Sequence, residues 1–433
     1  MAKRRSTTST AAEADRTGAI ERIHGYVAAV LGGETIACEK VKSACRRFAR
    51  DLERSQTDPA YPWRFDETLA ARPILYIEKY LKPTKGRYAK MELMPWQCFV
   101  EGNIFGWVHK DTRLRRFREG LLCMGKKNGK TTLISGDAAY GATSDGENGA
   151  EICLLANSRE QAGQMFETCY NQIMGSPVLR DAFTPLRSEL RYDKTNSTIK
   201  RYASDSSRLD GLNPHFGFFD EIHEYRDFKL LTIIKNGMAE RQQPLALYLT
   251  TKGTVLDGPL MQYYNRFSQV LDGILPEAVA DSMFAYIAEL DSIDEIDKPE
   301  MWIKANPSMG VLINLERMQE DWEVAKLTPD ERATFITKRF NLWADISEAT
   351  YLDAEVINRN TGVVDMAVLE GRYCNGAYDL SAREDFTAAA LEFELDDGRY
   401  FWLCHSWVPQ RKVALAQEKI DYYRWQMLGY LTI

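Results

Sequence analysis

The segment Met124-Gly-Lys-Lys-Asn-Gly-Lys-Thr-Thr132 lies between a short apolar run, Gly120 to Met124, and a helical pattern. A glycine-rich turn between a buried strand and a helix brings backbone N–H groups and the positive end of a helix dipole to one point, which suits a phosphate. Gly125 and Gly129 allow the turn, Lys130 adds a point charge, and Thr131 offers a hydroxyl to Mg²⁺; Lys126, Lys127, Asn128 and Thr132 complete the candidate cradle. The spacing departs from G-x-x-x-x-G-K-[ST], because Met124 stands where the first glycine belongs. Gly129-Lys130-Thr131 alone would also fit a surface turn.

A second motif favours the phosphate reading. Phe216-Gly-Phe-Phe-Asp-Glu-Ile222 is an apolar strand ending in two carboxylates, ninety residues after Lys130, and is expected to lie beside the loop. Asp220 would hold Mg²⁺ and Glu221 would orient the attacking water on the γ-phosphate of ATP. Trp96 and Gln97, in Met94-Pro-Trp-Gln97, either read an adenine edge or simply begin a helix. Thr251, after the strand Leu245 to Thr250, stands at a γ-phosphate-sensing position or is an ordinary β-former. Arg208 suits either a finger to a neighbouring subunit or a solvated surface.

The surrounding pattern gives the fold class. Apolar runs at 120–124, 150–156, 215–219 and 245–250 alternate with helical segments, the mark of an α/β protein with a buried parallel sheet. Ser158-Arg-Glu-Gln161 is a capping box for a helix that Gly175-Ser-Pro177 should end. We expect a polar disordered tail over 1–17, a helical leader over 18–90, the phosphate-binding domain over 91–255, a helical and acidic lid or linker over 256–364, and a further α/β unit over 365–433. In that last unit, Asp396-Asp-Gly398 should turn a hairpin between strands 387–395 and 400–407.

Charge and cysteine usage narrow the function. With 55 Lys and Arg against 62 Asp and Glu, the net charge of −7 excludes a generically basic nucleic-acid coat. A DNA contact would have to be local: Lys110 to Lys130 carries eight basic and two acidic residues, and Lys110, Arg113, Arg115, Arg116 and Arg118 are its candidates. The eight cysteines form no C-x-x-C pair, as expected of buried, reduced thiols in an intracellular protein, and no apolar run has membrane-spanning length. Asp379 ends an expected buried strand, where an unpaired charge is costly, and Asp385 follows a tight turn. Both are candidate metal ligands, with a turn cap and a strand start as the plain alternatives.

In their order, Met94-Pro-Trp-Gln97, Gly125 to Thr131, Ser207 to Pro214, Phe219-Asp-Glu221, Lys304-Ala-Asn-Pro-Ser308, Lys338-Arg-Phe-Asn-Leu-Trp343 and Gly376 to Ser381 resemble the large subunit of a tailed-phage DNA-packaging terminase. The shortened phosphate loop is typical of that family. The resemblance runs from about 91 to 433. It implies a P-loop ATPase that drives double-stranded DNA into a procapsid, joined to an RNase H-like nuclease using Mg²⁺ or Mn²⁺. It also implies a homo-oligomeric ring, portal and small-subunit partners, and work in the host bacterial cytoplasm and transiently on the procapsid, without secretion. Lys130, Thr131, Asp220 and Glu221 would run the ATPase, Arg208 would act across subunits, and Asp379 would hold a nuclease metal. The family's other nuclease carboxylates lie on later strands, so a partial nuclease with weak cleavage is expected. A helicase-like ATPase, or a remnant that only binds partners, are the rival readings.

Overall fold

The protein, a computed structural model, is described over residues 2–84, 86, 90–204, 211–253, 258–343, 359–362, 366–381, 385–415 and 422–433. It divides into two compact units, Met1–Ile346 and Ser347–Ile433.

The first unit opens with helices. α1 (Ala2–Gly32) is continuous through residues 2–17, which composition suggested as a disordered tail. Ala, Glu and Arg in this stretch are good helix formers, and they lead through Gly18 without a proline into the face that buries Ala19, Ile23, Val27 and Val30. α2 (Glu39–Thr57), β1 (Trp63–Phe65), α3 (Glu67–Tyr80), α4 (Pro95–Gly106) and β2 (Trp107–His109) follow. Asp66 starts α3 by accepting from the N–H groups of Thr68 and Leu69. The leader shares one core with the sheet: Tyr26 and Tyr286 hydroxyls meet at 2.8 Å, and the Cys38 thiol donates to the Ile287 carbonyl.

The sheet is built from β3 (Glu119–Cys123), β4 (Glu151–Ala156), β5 (Phe183–Pro185), β6 (Glu189–Tyr192), β7 (Ser197–Ala203), β8 (Pro214–Asp220), β9 (Leu245–Thr250) and β10 (Met283–Ile287). Its order is β10-β3-β9-β8-β4-β7-β6-β5, parallel except where β6 pairs with β5 and β7. Nearly every residue of β3, β4, β8 and β9 is buried, as two helical layers require. α5 (Lys130–Thr143) follows β3, and α6 (Arg159–Met174) follows β4 with the expected Ser158–Gln161 capping box. α7 (Lys229–Gly237) lies between β8 and β9.

Two expectations need correction. The acidic strand β8 is not beside β3; β9 lies between them. β10 completes the edge of this sheet from within the segment expected to be a helical and acidic lid or linker, because Met283-Phe-Ala-Tyr-Ile287 is an uninterrupted apolar run between acids. Beyond it, α8 (Pro259–Leu271) and α9 (Glu277–Ala280) having preceded it, α10 (Leu315–Ala325) and α11 (Pro329–Arg339) close a small core around Trp302, Trp322 and Phe340.

The arginines expected to face DNA are partly structural. Arg116 is buried between Asp51 and Asp281, each at 2.8 Å, and Arg115 is buried against Asp145. Arg113 is exposed but paired with Asp66 at 2.9 Å, Lys110 donates to the Asp58 carbonyl, and Arg118 is exposed. A buried guanidinium needs carboxylate partners, and these are supplied by segments remote in sequence.

The second unit is a sheet of β11 (Cys374–Asp379), β12 (Thr387–Glu394), β13 (Tyr400–Trp407) and β14 (Leu431–Thr432), in that order. The hairpin turn falls at Asp396-Asp397-Gly398 as expected, with Gly398 at φ +77°. Helices Gln410–Leu415 and Tyr422–Met427 flank it, and Val408, Tyr422 and Leu431 form a small core. All eight cysteines are free; six are buried, but Cys374 and Cys404, on these strands, are exposed.

Glu101 on α4 and Asp137 on α5 are fully buried and neighbour one another, with no hydrogen bond to any other described residue. Burial pushes the Asp137 carboxyl up to about 7, and burial together with Asp137 pushes Glu101 well above its ordinary range. An unfolded Asp ionises near ~4, so wild-type stability is full below that pH and falls as pH rises toward the folded value. Thermal melts of Asp137→Asn should therefore show its Tm, relative to wild type, climbing between about pH 4 and pH 7 and then levelling. A difference independent of pH would contradict this origin.

Candidate active site

The C-terminal ends of β3, β9 and β8 are level, with Cys123 paired to Thr250 and Asp220 to Leu249. The phosphate loop leaves β3 at this edge, and the two carboxylates leave β8 two strands away. Parallel α/β sheets place their ligands at such an edge.

The loop takes the conformation its residues suit. Lys127 and Gly129 have φ of +74° and +86°, and Gly129 immediately precedes α5. Gly125 tolerates no side chain: a Cβ there would lie 2.5 Å from Asn306 Oδ1 and 2.7 Å from the Arg339 carbonyl. Asn128, buried, donates from Nδ2 to the Gly125 carbonyl at 2.9 Å and to Asn306 Oδ1 at 3.0 Å, while its own Oδ1 accepts from the Ser308 N–H at 3.0 Å. The N–H groups of Gly125 and Lys126 donate to the Ala305 and Lys338 carbonyls. The segments 304–308 and 338–343, noticed in the sequence without a role, thus hold the loop from beneath.

Lys130 is buried, its Nζ donating to the Met124 carbonyl at 2.8 Å, and burial lowers its pKa against the pull of Glu221. Thr131 and Thr132 are half-buried in the first turn of α5; their carbonyls accept from Ser135 and Gln172. Asp220 accepts from the Glu221 N–H at 3.1 Å. Burial and the neighbouring Glu221 charge push Asp220 up to about 7; burial would also raise Glu221, but His223, Lys130 and Lys126 hold it below the ordinary carboxylate range. A buried carboxyl short of positive partners, next to an ionised one, fits the oxygen-donor set that Mg²⁺ prefers. Thr251 is buried behind them, and its hydroxyl has no partner among the described residues.

Other expected residues are placed differently. Trp96 is a core residue, 1% exposed, stacked on Tyr286 with its N–H on Ser308 Oγ at 3.1 Å, so its indole face is taken. Gln97 caps its own helix by accepting from the Met94 N–H, and a Cβ on Gly129 would lie 3.8 Å from its Nε2, so it stands beside the loop. Arg208 lies outside the described residues. Asp379 ends β11, a strand exposed along its length, so the burial argument for ligation fails. Asp385 is exposed and accepts from the Phe386 N–H, as a turn residue does. Among the described residues no group of three or more His, Cys, Asp or Glu side chains is arranged to hold a metal.

The site is that of a P-loop nucleotide-binding protein. Family models for the terminase large subunit match the chain twice: the ATPase domain over residues 95–269 and the endonuclease domain over residues 277–432. The chain belongs to the terminase large subunit family. The endonuclease match starts well before the expected boundary at 365 and takes in residues of the first compact unit. The chain is similar to Protein YmfN of Escherichia coli K12, 28% identical over 320 residues, covering 70% of this chain and 68% of that protein. It is 24% identical over 348 residues to the terminase large subunit of Lactococcus phage p2, covering 78% of this chain and 63% of that one. The crystal structure of the HK97 bacteriophage large terminase shares the fold, with TM-score 0.55 and 22% identity, over 84% of this chain and 73% of that one.

The clamp beneath the loop is testable. Asn306→Ala removes one acceptor for Asn128 and two bonds to the Trp302 and Arg339 carbonyls. Titration with Mg–ATP should show affinity about tenfold weaker, ~1.4 kcal/mol, with the fold retained. Unchanged affinity would mean that the clamp does not shape the loop.

Proposed function

We propose that the protein is the ATP-hydrolysing motor of viral DNA packaging. The supporting observation is the convergence of buried Lys130 with half-buried Asp220 and Glu221 at one sheet edge, with Thr250 level between them. In this reading the loop N–H groups and Lys130 bind the β and γ phosphates of ATP, and Glu221 orients the attacking water. Thr131 and Asp220 would hold Mg²⁺, which when bound neutralises phosphate charge. Thr251, its hydroxyl unsatisfied, faces the γ-phosphate, and Arg208 acts as a finger to the next subunit.

The substrate moved is double-stranded DNA, and the working form is a homo-oligomeric ring docked on the portal with the small terminase subunit. This places it in the host cytoplasm and transiently on the procapsid. Among the described residues no helix is long and apolar enough to cross a membrane. The 365–433 unit bears Asp379 as its nuclease carboxylate, with Mg²⁺ or Mn²⁺ as the expected metal.

Steady-state ATPase assays with and without duplex DNA test the reading. DNA should stimulate wild-type turnover several-fold, Lys130→Ala and Glu221→Gln should lower it by at least ~100-fold, and Asp379→Ala should leave it near wild type. ATPase activity indifferent to DNA would point to a motor or remodeller with another substrate. Loss of ATPase in Asp379→Ala would overturn the division between motor and nuclease.

A further inference from the structure

Glu221 is the first residue after β8, held at φ +50° and ψ +51°, a conformation uncommon for a residue with a side chain. Two residues on, His223 is 5% exposed, and its ring turns back toward both Glu221 and the end of β9. Its Nδ1 is hydrogen-bonded to Thr250 Oγ1 at 3.2 Å and lies 3.0 Å from Glu221 Oε2, an oxygen with no hydrogen bond of its own among the described residues. The Thr250 hydroxyl donates to the Thr251 carbonyl at 2.7 Å, so toward His223 it presents lone pairs, and it also accepts from the His223 N–H at 3.3 Å. An unprotonated Nδ1 would face two acceptors at once; these neighbours therefore select the tautomer with the proton on Nδ1. Nε2 lies 3.7 Å from Glu224 Oε1. Space for the ring depends on Gly253, where a Cβ would meet His223 Cβ at 2.6 Å.

We propose that His223 is a positioning residue: its ring, hydrogen-bonded to Thr250 and in 3.0 Å contact with Glu221 Oε2, holds the Glu221 carboxylate at the end of β9, tying the hydrolytic base to the strand that separates β3 from β8. Thr250 precedes Thr251, so a displacement of that strand end reaches Glu221 through one imidazole. Ring and carboxylate are both largely buried, and bulk water does not replace the contact when it is lost. The inference rests on the assignment of Glu221 as the base.

The test is ATPase kinetics on the full chain for wild type, Glu221→Gln, His223→Ala, His223→Asn and His223→Gln. An Asn amide nitrogen stands near the position of Nδ1, whereas a Gln amide reaches toward Nε2. His223→Ala should lower kcat at least ~tenfold while the KM for ATP stays within about twofold, because carboxylate orientation matters in the transition state and not in nucleotide binding. His223→Asn should recover most of the loss and His223→Gln little. Equal kcat in wild type and His223→Ala, or Asn no better than Gln, overturns the inference. Should His223→Ala fail to fold, the Asn and Gln pair decides. A wild type no faster than Glu221→Gln removes the hydrolase reading itself and this inference with it, whereas an active wild type with unaffected His223 variants removes only the inference.

Discussion

The interaction on which the site depends is the anchoring of the phosphate loop by groups far away in sequence. Asn128 binds Asn306 and Ser308, and the Gly125 N–H binds the Ala305 carbonyl. A loop that must point its own N–H groups outward cannot satisfy all its polar groups internally, so these are met from 304–308 and 338–341 instead. The anchoring also constrains composition: Gly125 packs so closely on Asn306 and Arg339 that no side chain fits. Segments that read in sequence as part of a lid are thus the floor of the nucleotide site. Asn341 extends the same arrangement, accepting from the Lys252 N–H at 2.7 Å and donating to the Ala288 carbonyl at 2.8 Å, which joins the ends of β9 and β10.

Strand order converts this anchored loop into a reaction centre. With β9 between β3 and β8, the two threonines at its end stand between the phosphate loop and the acidic pair. Buried Lys130 and the Asp220–Glu221 pair then balance one another in a poorly solvated pocket, where each charge is felt strongly. Burial and the neighbouring Glu221 charge raise Asp220, while His223 and the two lysines Lys130 and Lys126 draw Glu221 the other way.

Much of this was legible in the sequence because it rests on local rules. The strand, loop and helix around Lys130, the Ser158 capping box and the Asp396-Asp-Gly398 hairpin all follow from turn chemistry and periodicity. What was not legible rests on tertiary partners. Arg115 and Arg116 read as a basic patch, but their carboxylates come from Asp145, Asp51 and Asp281. Trp96 read, with Gln97, as part of an adenine-recognition element or a helix start, but Tyr286 and Ser308 claim it for the core. β10 was hidden among acids, one of which, Glu289, is itself buried against Lys252 at 2.8 Å. The burial expected of Asp379 does not hold, because an apolar strand pattern was taken to mean burial, and β11 is exposed. His223 carried no motif; a histidine two residues after a strand-end Glu gives the only signal.

Under the proposed function, binding the nucleotide and cleaving it belong to different ends of the same sheet edge, Lys130 holding phosphate and Glu221 activating water. Equilibrium titration with Mg²⁺ and the slowly hydrolysed analogue ATPγS separates the two. Glu221→Gln should bind the analogue as tightly as wild type, and Lys130→Ala should bind it at least ~tenfold more weakly. Equal binding by wild type and Lys130→Ala, or loss of binding in Glu221→Gln, would contradict the account.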